Sequence, residues 1–175
     1  MQLIHADICG PVTPTSNGKK RYALCFIDDF SIKAWVYFLV EKSEALNSFK
    51  CFKRLVEKET VMYIKCLRID RGDEFNSDEF NSEEFNSEEF NEFCRQCGIK
   101  RQLTIAYTPQ QNGVAERKNR TVMNMVRSML LDKKISKTFW PKAVNWTMYV
   151  LNRSPIVVVK NVTPEKAWSG VKTHS

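Results

Sequence analysis

The chain has 175 residues, enough for one domain with a real core, and an apolar content of 43% that argues against disorder. It has no apolar stretch long enough to span a membrane, and residues 1–15 lack the basic start and long apolar run of a secretory signal. The net charge of +7 conceals an asymmetry: nine of the 20 acids fall in residues 73–92, which hold no base, so the remainder carries 27 bases against 11 acids, or +16. A basic body of this kind favours nucleic acid as partner, with a merely soluble basic surface as the plainer alternative.

In chain order, Leu3 to Ile8 reads as a first strand, with Asp7 inside it and His5-Ala6-Asp7-Ile8-Cys9-Gly10-Pro11 as its surrounding motif. Pro11 to Lys20 is a turn-rich link, tightest at Asn17-Gly18. Tyr22 to Ile27 and Ala34 to Val40 are apolar, aromatic and β-branched, and form a hairpin about Asp28-Asp29-Phe30-Ser31. In an up-down-up meander that turn lies at the end opposite the loop after strand 1, so Asp28 and Asp29 are expected to serve the turn and to bind no catalytic metal. Ser43 can cap a helix whose buried stripe is Leu46, Phe49, Phe52, Leu55 and Val56. Met62 to Ile69 is a fourth strand, ending at Asp70 in the motif Arg68-Ile69-Asp70-Arg71-Gly72.

Residues 75–93 are a tandem pentad built on Phe75, Phe80, Phe85 and Phe90. Five residues advance about 500° round a helix, roughly 140° past a full turn, so these rings spiral instead of forming one stripe. The segment reads as a local duplication, with Phe90 to Gly98 holding a native helix and part of 75–89 projecting as acidic loop or frayed helix. The six cysteines are expected to be reduced core thiols of an intracellular protein. Cys94-x-x-Cys97 has zinc-like spacing, but His5 and His174 offer no second ligand pair.

Lys100 to Ile105 is a fifth strand, followed by a polar loop broken by Pro109 and Gly113. From Val114 the pattern turns helical, with Ala115, Val122, Val126 and Met129 on one face, and Glu116, Asn119, Arg120 and Met123 on another. A first-turn carboxylate beside Arg117 and Lys118 suits either a metal ion facing a phosphate backbone or a solvated helix start. Thr138 to Leu151 is a last amphipathic helix, with Pro141 in its first turn and Asn152-Arg153-Ser154-Pro155 as its stop. The order β-β-β-α-β-α-β-α-α makes an α/β fold: a mixed five-stranded sheet with helices on both faces.

If strands 1 and 4 are parallel neighbours, Asp7, Asp70 and Glu116 can converge within about 4–8 Å, the span that two bridged metal ions require. Hard carboxylate oxygens of this kind bind Mg²⁺ or Mn²⁺, and two such ions about 3.5–4 Å apart serve phosphodiester displacement. The Asp7 motif, Phe26 to Ser31, Asp70-Arg71-Gly72 with Glu74-Phe75, Tyr107 to Arg120, Trp140 to Asn145, Asn152 to Pro155 and Thr163 to Trp168 follow one another over almost the whole chain. In that order they resemble the catalytic core of retrotransposon integrases of the copia type, in the retroviral integrase superfamily.

The resemblance implies an RNase H-like fold and an Asp-Asp-Glu triad at Asp7, Asp70 and Glu116, holding two Mg²⁺ (or Mn²⁺) ions. It also implies 3′-end processing of element DNA and its transfer into target DNA, with Arg117, Lys118, Asn119 and Arg120 toward the DNA. The partners it implies are double-stranded DNA and further copies of the chain, with no membrane, in the nucleus or a cytoplasmic virus-like particle. Three departures stand against the family pattern. The 45 residues between Asp70 and Glu116 exceed the usual spacing by two pentads, and Asp73 replaces a usual glycine. Neither the upstream His-His-Cys-Cys zinc module nor the C-terminal DNA-binding region lies in the sequence, so a core fragment is expected. A catalytically degenerate remnant that keeps the fold is the alternative, and a domesticated interaction module a third.

Overall fold

The structure, a computed structural model, describes residues 3–69, 87–103 and 109–171, with backbone alone at 103, 109–116 and 171. The strands are β1 (Leu3–Cys9), β2 (Tyr22–Asp28), β3 (Ala34–Leu39), β4 (Cys66–Ile69) and β5 (Lys100–Leu103). The described helices are α1 (Ala45–Thr60), α2 (Glu88–Gln96), α3 (Pro109–Asp132), α4 (Trp140–Arg153) and α5 (Pro164–Val171). One sheet runs β3-β2-β1-β4-β5, antiparallel from β3 to β1 and parallel from β1 to β5. The mixed sheet expected from the element order is the sheet found.

Side-chain alternation along the strands divides the core in two. Ile4, Ala6, Leu24, Phe26 and Leu39 face α1 and α2, where Phe49, Phe52, Val56, Phe90 and Cys94 meet them. Ala23, Cys25, Ile27 and Ala34 face the other way, against Val122 and Val126 of α3 and Trp140, Val144 and Met148 of α4. β2 is therefore buried at all seven positions, which explains its unbroken apolar sequence. Phe90 stacks on Phe49 at 5.4 Å, so the last pentad ring belongs to the core, while Phe75, Phe80 and Phe85 lie outside the described residues.

Several local expectations are corrected. Pro109 begins α3 instead of breaking a loop, since a proline in a first helical turn loses no bond the helix would have made. Ser43 does not cap α1; a capping box between Glu41 and Glu44 opens a 3₁₀ turn that feeds into it. Leu55 is 44% exposed, off the buried stripe, and Cys51 is an exposed thiol. Thr138 and Phe139 form a 3₁₀ turn before α4, and β4 is shorter than Met62 to Ile69. Helix α5 was not foreseen, although Thr163 and Pro164 are a start signal: the Thr163 hydroxyl accepts from the Lys166 N–H at 3.1 Å.

Two contacts fix the outer strand. The Asn152 amide of α4 accepts from the Ala34 N–H at 3.0 Å and donates to the Ala34 carbonyl at 2.8 Å. Lys33, just before β3, pairs with Glu165 at 3.0 Å and lies over the rings of Trp35 and Trp168, joining α5 to the sheet.

At the end of β1, Gly10 adopts φ +133, where a Cβ would come within 2.6 Å of the Arg21 carbonyl oxygen. Gly10→Ala should therefore cost about 1–3 kcal/mol in urea unfolding, from strain and close approach together. A loss below a few tenths would show that the turn adapts freely.

Candidate active site around Asp7

Asp7 projects from β1 on the α3 side of the sheet, across from Cys25 of β2 and two residues before Cys9. It is half-buried. The amide of Asn119, on the inner stripe of α3 with Val122 and Val126, donates to Asp7 Oδ2. Asn119 is 7% exposed, so this contact gives a buried amide its acceptor and holds the carboxylate at once.

Parallel pairing of β1 with β4 runs from Leu3↔Cys66 to Ala6↔Ile69. Asp70 follows Ile69 in sequence as Asp7 follows Ala6. Asp70 and the Glu116 side chain lie outside the described residues, so their distances to Asp7 are not part of this geometry. Glu116 stands three residues before Asn119 in α3, the helix that reaches Asp7.

The surroundings indicate which ions the site suits. Burial, then the charge of Asp7, pushes both the Cys9 and Cys25 thiols up, although Arg127 partly offsets this at Cys9. Both sulfurs are thus held in their thiol form, and the donor that Asp7 brings to the site is a hard carboxylate oxygen. A carboxylate donor of that kind fits Mg²⁺ or Mn²⁺. Among the described residues no group of three His, Cys, Asp or Glu gathers to hold a metal, and two of the three expected carboxylates fall outside that set.

The expected DNA-facing residues divide by exposure. Arg117 and Arg120 are exposed, whereas Lys118 is half-buried, its ammonium pKa lowered by desolvation and partly restored by Cys25. Asn119 points inward to Asp7, a role missed because its helical face was read through Glu116 and Arg120. The spacing of Asn119 with Val122 and Val126 was the available signal. Asn119→Ala should cut any Asp7-dependent activity by about 10- to 100-fold, as loss of an orienting partner does. An Asn119→Ala protein of wild-type rate would remove this role.

Asp28 and Asp29 lie at the other end of the sheet from Asp7, as the meander geometry required. Asp28 pairs in register with Ile4, and its Oδ2 accepts from the Ser31 N–H and hydroxyl, both at 2.8 Å. Asp29 Oδ1 meets His5 Nε2 at 2.7 Å. Among the described residues no helix is long and apolar enough to cross a membrane.

Residues 1–109 match the family described as Integrase core domain. The chain is 43% identical over 169 residues to the retrovirus-related Pol polyprotein from transposon TNT 1-94 of Nicotiana tabacum, covering 97% of this chain and 12% of that protein. It is 30% identical over 165 residues to the Pol polyprotein from transposon RE2 of Arabidopsis thaliana, covering 94% and 10%. The chain thus spans about a tenth of these relatives' length. Among solved structures, the HTLV-2 integrase catalytic core domain in complex with magnesium superposes in its trimeric form with TM-score 0.64 and in its dimeric form with 0.65. Identity is 19% in both, with 95% of each chain covered, and the shared feature is the RNase H-like fold.

Proposed function

The chain belongs to the integrase core domain family, as a retrotransposon integrase catalytic core, and from that premise we propose that it is a metal-dependent polynucleotidyl transferase. In this reading Asp7, Asp70 and Glu116 are the metal-binding carboxylates. The substrates are the element's double-stranded DNA ends, trimmed at the 3′ side, and the target DNA that receives them. The observation that carries the reading is the Asn119–Asp7 contact, which ties the helix bearing Glu116 to the strand bearing Asp7. The β1–β4 register supports it, because its last described pair stops one residue short of both aspartates.

Two Mg²⁺ or Mn²⁺ ions, when bound, supply activation of the attacking hydroxyl and stabilisation of the leaving oxygen. The chain's own residues do the positioning. Asn119 fixes the Asp7 carboxylate, whose oxygens are the donors to hand, and the exposed Arg117 and Arg120 offer cations to phosphates. The dimeric and trimeric HTLV-2 cores support assembly as a homo-oligomer; its place, in this reading, is the nucleus or a cytoplasmic particle.

The test is joining of a labelled DNA end to target DNA in Mg²⁺ or Mn²⁺, with wild type against Glu116→Gln. Joining by wild type, lost in Glu116→Gln and in EDTA, is the expected result. Folded wild type that binds DNA and joins none would favour the degenerate remnant, to which the two extra pentads and Asp73 already point.

A further inference from the structure

The link between β1 and β2 carries Lys19, Lys20 and Arg21, and no acid falls between Asp7 and Asp28. Its backbone is fixed at both ends. The Val12 N–H donates to the Arg21 carbonyl at 2.7 Å, and the Arg21 N–H donates to the Leu39 carbonyl at 2.9 Å. The tip closes through the Lys19 N–H on the Ser16 carbonyl at 2.8 Å and the Lys20 N–H on the Ser16 hydroxyl at 2.9 Å.

At that tip Lys19 adopts φ +58, a left-handed conformation that favours glycine, although Gly18 stands next to it. Strain of this kind collects at sites that bind or react, and what the turn gains from it is an exposed cation. Lys20 is tied to Glu44 at 3.7 Å. Lys19 and Arg21 are exposed and form no ion pair among the described residues.

The link lies at the Asp7 end of the sheet. Asp7 pairs with Cys25 and Cys9 with Ala23, so Arg21 stands four residues beyond Cys25, about 13 Å at 3.3 Å per residue. Helix α3 borders the interval. Val12 and Leu130 pack against the core that holds Val122 and Val126, and Arg127 is close enough to Cys9 for its charge to act on that thiol. Arg117, Arg120 and Arg127 are exposed on one side of α3, and residues 117–131 hold four bases and no acid.

A cationic track therefore leads from the Asp7 site past Arg127 to the tip of the link. A small anion would meet one of these cations, whereas a duplex backbone, with a phosphate every 3.4 Å or so along each strand, meets them all. We propose that Lys19, Arg21 and Arg127 hold the phosphate backbone of duplex DNA beyond the Asp7 site, without regard to sequence. The proposal rests on the DNA substrate of the transferase reading and not on its chemistry.

The probe is a fluorescein-labelled thirty-base-pair duplex of mixed sequence, followed by anisotropy in EDTA over a range of salt. Lys19→Ala, Arg21→Ala and Arg127→Ala together should lower the slope of log affinity on log salt by about 2.7, or 0.9 for each phosphate contact. Arg54→Ala with Lys58→Ala, exposed on α1 across the sheet, should leave the slope unchanged. Lys19→Gly separates binding from folding. Relieved of its left-handed lysine, the chain should unfold at an equal or higher temperature while the slope falls by about 0.9. Closed circular DNA should compete with the labelled duplex base pair for base pair, since the contacts need no end.

An unchanged slope in the triple variant, or an equal fall in the α1 variant, would overturn the proposal. So would competition by free DNA ends alone, which would make the track a seat for element ends, or tighter binding of poly-glutamate, which would make it a seat for acidic protein. Joining activity with an unchanged slope would sink the track and leave the transferase reading standing. A lowered slope in a protein that joins nothing would support the track and sink that reading.

Discussion

Asp7→Asn should abolish DNA-end joining while leaving the fold and DNA affinity intact. The substituted side chain has nearly the shape of aspartate and keeps a carbonyl oxygen for the Asn119 amide, so β1 and α3 stay tied. What is lost is the negative charge that a divalent ion requires. Removing a carboxylate from beside the proposed DNA path should leave affinity equal or slightly higher. Joining measured in Mg²⁺ should fall to background, and thermal unfolding should be unchanged. Activity above a tenth of wild type would exclude Asp7 as a metal ligand, whatever Asp70 and Glu116 do.

The second large effect is structural. Phe49 is fully buried and touches three rings: Phe26 of β2 at 5.7 Å, Phe90 of α2 at 5.4 Å and Phe93 at 6.1 Å. It joins the sheet, α1 and α2, the helix that carries the last pentad ring. Phe49→Ala should cost about 3–5 kcal/mol, a large part of the roughly 5–15 kcal/mol that holds a domain folded. At about 2–4 °C for each kcal/mol, the melting temperature should drop by roughly 6–20 °C. Leu55→Ala, on the same helix but 44% exposed, should cost well under 1 kcal/mol. Equal losses at the two positions would mean that the Phe49 cluster is not the centre of this core.

The sheet was readable because alternation and apolar runs are local signals: β1, β2 and β3 stand within a residue or two of where sequence placed them. Helix edges were not, because capping depends on which of several polar side chains wins. Glu41 and Glu44 outcompeted Ser43, and Pro109 could open a helix as readily as break one. Leu55 shows that a stripe read at steps of three and four can be one residue too wide. At the site, parallel pairing of β1 with β4 was the condition set for bringing two aspartates together, and the sheet meets it. The inward turn of Asn119 was not read from the sequence, because its face was taken through Glu116 and Arg120 and turned toward DNA. Asp70 and the Glu116 side chain lie outside the described residues, so the convergence of the triad stands as an expectation.

Asn152 grips both peptide groups of Ala34, and in doing so imitates one residue of a sixth strand. An open sheet edge is a template on which another chain can assemble, and this imitation closes one end of β3 to such recruitment. The same grip denies α4 any sliding along the sheet, because movement would strand a buried amide without its partners. The residue that blocks the open edge of β3 therefore also fixes the place of α4 on the sheet.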